Sequence, residues 1–184
     1  TLIERSTDDS YGDPGSPIFA KNKFGKNSPK LINGNTLLMR GNGASANGDL
    51  PFLRSFNINT KESKEIWRCA EPYYETVSSI TDFDKMSFIT SKQSQNETPN
   101  YYQYTNDTVK QLTAFADPQP ALRGVTKQKI TYKRKDGVDL AADLYLPKGY
   151  DPTRDGKLPV IMWAYPREFK SSADAAQIRG SKHS

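Results

Sequence analysis

A single cysteine and a single histidine stand in 184 residues, and these two scarcities remove most site chemistry at once. Cys69 alone makes no intrachain disulfide and no cysteine-based metal cluster. It reads as a small buried or half-buried side chain rather than a nucleophile, because His183, the one imidazole, is far away in sequence. Neither a metal nor a cofactor is expected. Long apolar runs are missing as well: hydrophobic residues make up 35% of the chain, mean hydropathy is -0.77, and no run approaches the roughly 18 residues that a membrane helix needs. That excludes a membrane-spanning helix. The N-terminus, T-L-I-E-R-S-T-D-D-S, has neither an initiator methionine nor the apolar core of a signal peptide. The expectation is that something was removed upstream, or that the chain is a piece of a longer one.

Charge is present but dispersed. The net charge is +5 and the pI about 9.2, yet basic residues spread from Lys21 to Lys182 and the only tight run is Lys133-Arg134-Lys135. A phosphate-binding stripe needs clustering, so no nucleic-acid partner is expected. Asn96-Glu97-Thr98 and Asn106-Asp107-Thr108 fit the glycosylation sequon, which matters only in a eukaryotic secretory protein.

Turn chemistry dominates residues 1–30, where D-P-G-S-P at Asp13 to Pro17 is written for a surface connection with one short strand near Ile18 to Ala20. Asn35 to Arg40, Pro51 to Ile58 and Lys64 to Cys69 then read as short strands between Gly, Asn and Lys-Glu turns. A cleaner block follows. Tyr73 to Ile80, Met86 to Ser91, Asn100 to Tyr104 and Thr108 to Phe115 predict four antiparallel strands with polar tips, the unit of a propeller blade. The pairs Tyr73-Tyr74 and Tyr101-Tyr102, with Tyr104, suggest a base-stacking surface or, more simply, aromatics filling strand faces between blades.

Asp117-Pro118-Gln119-Pro120 breaks the composition. Prolines stiffen such a linker, and a domain boundary is expected here, with residues 1–117 on one side and 118–184 on the other. Gln128 to Lys133 and Val138 to Leu146 alternate around Asp136-Gly137, the strongest short-range hairpin signal, which puts the basic run on an exposed tip. Pro147 to Gly156 is a loop. The apolar run Val160 to Ala164, between Pro159 and Pro166 and ending on Tyr165, suits a strand buried on both faces, with Pro166 ending its pairing. Tyr165 then sits at the carboxyl end of a buried strand, where ligands bind in open α/β sheets, or it is the capping tyrosine of an ordinary core strand. Ser171 to Ile178 predicts a short helix. Arg167, Glu168 and Arg179 lie near the strand end and either touch a substrate or pair at the surface.

Several motifs fail on inspection. Gly43-x4-Gly48 starts like a phosphate loop, but Asp49-Leu50 stand where Lys and Ser/Thr are required. Asp151, Thr153, Asp155 and Gly156 imitate a calcium loop, yet Met162 occupies the position of the closing glutamate. No G-x-S-x-G elbow occurs. His183, next to the last residue, is expected to fray, and a complete Ser-His-Asp set cannot be assembled.

More specific than periodicity is the run Y-K-R-K-D-G-V-D-L-A-A-D-L-Y-L-P-K-G-Y-D-P, then L-P-V-I-M-W-A-Y-P-R-E-F-K-S, then A-A-Q-I-R-G-S. It resembles the start of the peptidase domain in the prolyl oligopeptidase family of serine peptidases, closest to its glutamyl endopeptidase-like and bacterial dipeptidyl-peptidase-like members. Upstream, Y-G-D-P-G-S-P, R-G-N-G-A-S, E-P-Y-Y-E and L-R-G-V resemble the last part of that family's β-propeller. The resemblance implies a mainly β chain: the C-terminal blades of a propeller, about two of them, over residues 1–117, then the first strands of an incomplete α/β-hydrolase domain over residues 118–184. It implies a peptide substrate and a Ser-Asp-His triad located beyond Ser184, so that the isolated chain is inactive and His183 is not the catalytic histidine. One functional residue carries over. Tyr165 falls where the family places a tyrosine whose hydroxyl helps form the oxyanion hole. Residues 1–117 by themselves suit equally a β-rich interaction module without catalysis. Oligomeric state and cleavage specificity stay open, and so does the compartment: periplasmic, secreted, cytoplasmic or organellar.

Overall fold

The computed structural model of the chain describes residues 2–165 and 167–184. Its first part is a run of short strands: β1 (Ser16–Pro17), β2 (Phe19–Lys21), β3 (Asn27–Pro29), β4 (Leu31–Ile32), β5 (Thr36–Gly41), β6 (Phe52–Asn57) and β7 (Ser63–Arg68). β5, β6 and β7 form an antiparallel meander, and β1 and β4 both pair with β5 on its other edge. β2 and β3 make a small separate hairpin. The N-terminal region therefore holds more extended structure than its Pro and Gly content predicts. Turn residues set the strand ends: Asn57 Oδ1 accepts from the N–H groups of Asn59 at 2.9 Å and Thr60 at 3.1 Å, an Asx turn that reverses the chain locally.

A second antiparallel sheet follows, β8 (Tyr74–Asp82), β9 (Ser87–Ser94), β10 (Glu97–Thr105) and β11 (Thr108–Gln111), each strand beside its sequence neighbour. Asp82 Oδ1 accepts from Asp84 N–H at 2.9 Å and Lys85 N–H at 3.0 Å, and Asn106 takes φ 50° in the two-residue turn before β11, a conformation asparagine tolerates. The four strands fall where the sequence places them, but β10 begins three residues before the expected Asn100 and β11 stops at Gln111, short of the expected Phe115.

The core lies between these two sheets. Leu38 and Leu53 of the first meet Val77 and Phe88 of the second, with Ile18, Ile32, Trp67, Ile80 and Tyr104 packed around them. Phe88 and Tyr104 stack at 5.0 Å with their planes 2° apart, and Trp67 meets both edge-on at 6.0 Å. Tyr104 thus packs inward, whereas Tyr101 is exposed. A register shift falls between Val77 and Ser79, and Arg40 Nη1 donates to the carbonyls of Val77 and Ser78, each at 2.8 Å. One guanidinium satisfies the acceptors that the bulge takes out of the ladder.

After a single turn of 3-10 helix at Pro120–Leu122 comes the hairpin of β12 (Thr126–Lys133) and β13 (Asp139–Leu146), in unbroken register from Thr126 opposite Leu146 to Lys133 opposite Asp139. Gly137, at φ 88°, makes its turn, and Arg134 pairs with Asp136 at the tip, so the basic run sits where the alternation put it. Two single-turn helices complete the described elements, α1 (Pro152–Asp155) and α2 (Ser172–Ala175).

The expected buried strand is absent. Residues 157–165 form no strand, and Val160, Ile161, Met162, Trp163 and Tyr165 are 80%, 98%, 85%, 88% and 85% exposed. A strand buried on both faces needs neighbours on both edges and layers above and below it. Among the described residues none pairs with this run. Pro166, expected to end it, lies outside the described residues.

Candidate functional site

Tyr165 closes a segment fixed at its two ends. Before it, Asp151 caps α1 by accepting from Thr153 N–H at 2.8 Å, and Tyr150 O–H donates to Gly156 O at 2.7 Å. After it, Ser171 Oγ caps α2 by accepting from Asp174 N–H at 3.1 Å. α2 stops at Ala175, short of the expected Ile178, because the next residues turn away to bond the N-terminal arm. Gln177 Oε1 accepts from the N–H groups of Ser10 at 2.6 Å and Tyr11 at 3.2 Å, and Gln177 Nε2 donates to Asp9 Oδ1 at 2.7 Å. Ile178 N–H donates to Tyr11 Oη at 2.9 Å.

Arg179 completes the attachment. Its Nε donates to Ser10 Oγ at 2.7 Å, and its Nη2 to Asp8 O at 2.8 Å and Asp174 O at 3.2 Å. The guanidinium groups of Arg167 and Arg179 each lie 4.9 Å from the centroid of the Phe169 ring. Arg167 Nη2 is 3.8 Å from Asp8 Oδ1. Of the three charged residues flagged near Tyr165, Arg167 and Arg179 therefore pair within the molecule. Glu168 is exposed.

A second polar cluster forms where residues 179–184 dock on both sheets and the hairpin. Lys129 Nζ donates to Arg179 O at 2.5 Å and pairs with Asp143 Oδ1 at 2.5 Å, while Gln95 Nε2 donates to Lys182 O at 2.8 Å. Asp49 N–H donates to Gly180 O at 3.1 Å, but among the described residues Asp49 Oδ1 is buried without a hydrogen-bond partner. Burial pushes its carboxyl up despite the cations of Lys129, Arg179 and Lys127 nearby. His183 does not fray: its side chain is 14% exposed, 3.8 Å from Glu71 Oε1, and burial followed by the charge of Lys182 lowers its pKa. Lys182 Nζ also pairs with Glu71 Oε1, at 2.8 Å. Among the described residues no group of three or more potential metal ligands comes together, and no helix is long and apolar enough to cross a membrane.

No family profile matches the chain. Two curated proteins do. The chain is 44% identical, over 195 residues taking in 98% of its length, to "Probable glutamyl endopeptidase, chloroplastic" of Oryza sativa subsp. japonica. It is 40% identical over 196 residues, again 98% of its length, to the Arabidopsis thaliana protein of the same name. The chain spans about a fifth of these relatives, 21% and 20% of their length. Both alignments run through the strand-rich region and the exposed apolar run alike.

The arm-to-Arg179 attachment carries no local signal in the sequence. Both of its sides lie in quoted motifs, Y-G-D-P-G-S-P and A-A-Q-I-R-G-S, but nothing local in either motif shows that they touch.

Proposed function

We propose that this chain is a segment of a serine peptidase of the prolyl oligopeptidase family, cleaving peptides at glutamyl residues. The observation that carries the proposal is identity of 44% and 40% with two proteins named glutamyl endopeptidase, over 98% of the chain. In this reading the two facing meanders, within residues 1–117, are consecutive propeller blades, and residues 118–184 open an α/β-hydrolase domain. The exposed run Val160 to Ala164 becomes a strand of that domain's sheet when the rest of the protein supplies its neighbours. A protein some five times longer has the chain to do so.

Tyr165 then stands at a strand end with its phenol O–H free to donate. In acyl transfer a serine oxygen attacks the peptide carbonyl, a histidine takes its proton, and the carbonyl oxygen becomes an oxyanion. A fixed O–H aimed at that oxygen stabilises the charge as it develops, and removing one such donor typically costs about 10²–10³ in rate. Beside the segment, a groove of about 330 Å³ is rimmed by Arg134, Arg167 and Lys170 over Leu140 and Phe169. Arg134 and Arg167 already pair with Asp136 and Asp8, so the excess positive charge there is that of Lys170, which favours a glutamyl side chain over a neutral one. Serine, acid and base come from the rest of the protein, so the 184-residue chain by itself does not hydrolyse peptides.

The test is Tyr165→Phe in the full-length protein with a glutamyl peptide substrate. The expected result is kcat lowered about 10²–10³-fold with KM little changed, since the hydroxyl acts in the transition state. An unchanged kcat removes Tyr165 from the mechanism, and hydrolysis by the purified 184-residue chain overturns the division of the site.

A further inference from the structure

Arg54 of β6 is half-buried, and among the described residues its guanidinium has neither a hydrogen bond nor an ion pair. The nearby acids are occupied. Glu65 accepts from Arg68 Nε at 2.9 Å and Nη2 at 2.5 Å, and Asp13 Oδ1 accepts from Arg5 Nη2 at 2.9 Å. The Arg54 guanidinium lies 3.9 Å from the centroid of the Phe52 ring, and that of Arg68 lies 5.4 Å from the same centroid. Two like charges thus share one ring, itself 2% exposed. The ring fills its place closely, since a Cβ on Gly41 would fall 2.6 Å from its Cζ. Burial, then the Arg68 charge, lower the pKa of Arg54, opposed by Glu65 and Asp13. Strand alternation puts Phe52, Arg54 and Arg68, with the buried Met39 and Phe56, on the face of the sheet opposite Leu38 and Leu53. The second sheet packs against Leu38 and Leu53, so the two arginines point away from it.

We propose that Arg54, beside Arg68 and over Phe52, is the docking point for an acidic side chain on a further sheet of the same protein, stacked on the outer face of β5, β6 and β7. This rests on the reading of the chain as a segment of a longer peptidase with consecutive blades, and the relatives, of which the chain spans 21% and 20%, have the length to supply one. Charge selects the occupant. A guanidinium carries five N–H donors in a fixed fork, and a carboxylate meets that fork with two parallel bonds. It also offsets the repulsion between the two cations, whereas a neutral or basic side chain leaves both uncompensated. Arg68 already donates to Glu65 and to Leu50 O, the latter at 3.0 Å, so the new bonds belong to Arg54 and Arg68 adds only its field.

The experiment compares Arg54→Met in the full-length protein and in the 184-residue chain, read as urea midpoints. Methionine keeps an unbranched stem over the ring and removes the charge. In the 184-residue chain the midpoint is expected to hold or rise, because an unpaired cation is lost. In the full-length protein it is expected to fall, because the docked carboxylate loses its partner. An equal shift in both contexts overturns the proposal. So does an unchanged midpoint in the full-length protein with a raised KM for a glutamyl peptide, which gives the site to the substrate. Should Arg54→Met fail to fold in the full-length protein, Arg54→Lys keeps the charge without the fork, and a carbodiimide then joins its amine to the docked carboxylate as an amide with loss of water. Peptide mapping is expected to find that link on an Asp or Glu outside the 184 residues; a link only to Glu65 or Asp13, or none, overturns the docking. Failure of the peptidase reading shows separately, as a full-length protein that does not hydrolyse glutamyl peptides, while the midpoints still decide the role of Arg54.

Discussion

Tyr104 donates its phenol O–H to Glu75 Oε1 across 2.9 Å, reaching from β10 over the intervening β9 to β8. Thr90 of β9 donates to the same oxygen at 2.6 Å. One carboxyl group, 4% exposed, thereby holds three adjacent strands on one face. Burial, then the Glu75 charge, push the Tyr104 phenol well above its usual range, so it keeps its proton and remains a donor at any ordinary pH.

The first prediction isolates that bond. Tyr104→Phe keeps the ring stacked on Phe88 and removes only the hydroxyl. A buried acceptor deprived of one partner costs about 1–3 kcal/mol. Urea unfolding should show the stability reduced by that amount, as a lower midpoint with an unchanged slope. A midpoint equal to wild type means that Thr90 and water satisfy Glu75 without help.

Local chemistry was legible in the sequence; long-range contact was not. Asn57, Asp82 and Gly137 end their strands with their own side chains or their own backbone freedom, so strand limits could be read within a few residues. Glu75 carries no local signal of burial, because the hydroxyl groups that bond it belong to Thr90 and Tyr104 on other strands. The same holds at the candidate site. The apolar run ending on Tyr165 carries the composition of a buried strand, but burial is a property of neighbours, and none of the described residues supplies them. Arg179 offered only a charge near a strand end, and its partners Asp8 and Ser10 lie at the other end of the chain.

Cys69 should resist labelling in the folded chain. It is 3% exposed, its Sγ accepts from Glu75 N–H at 3.1 Å and its thiol donates to Tyr73 O at 3.2 Å. Burial raises its pKa, which thins the thiolate that reacts. A disulfide reagent at pH 7 should modify it slowly in buffer and at once in guanidinium chloride. Rapid modification in buffer contradicts the packing around β7 and β8.

Asp49 carries the pH prediction. Its pKa is raised in the folded state by burial, so folding favours the protonated form. Its contribution is fully favourable below the unfolded value near 3.8 and is lost as pH rises through the folded pKa. Asp49→Asn should therefore raise Tm at pH 7, with the gain shrinking toward zero as pH falls below 3.8, the value of an ordinary aspartate. A variant less stable than wild type at pH 7 means that the cations of Lys127 and Lys129 hold Asp49 ionised at a net gain.

Ile161, 98% exposed, decides whether the apolar run is a strand in waiting. In the 184-residue chain Ile161→Lys touches nothing, and a surface substitution of that kind shifts stability by less than about 0.5 kcal/mol. Its visible effect should be on solubility, since four large apolar side chains in a row, Val160 to Trp163, form a patch that invites association. In the full-length protein the proposed strand is buried, and an uncompensated buried charge costs about 3–5 kcal/mol. Urea midpoints of the pair measured in both contexts give the answer. A large loss confined to the full-length protein places the run inside the hydrolase sheet and Tyr165 at its end. A small, equal effect in both contexts leaves the run at the surface, where no strand end exists to hold an oxyanion donor.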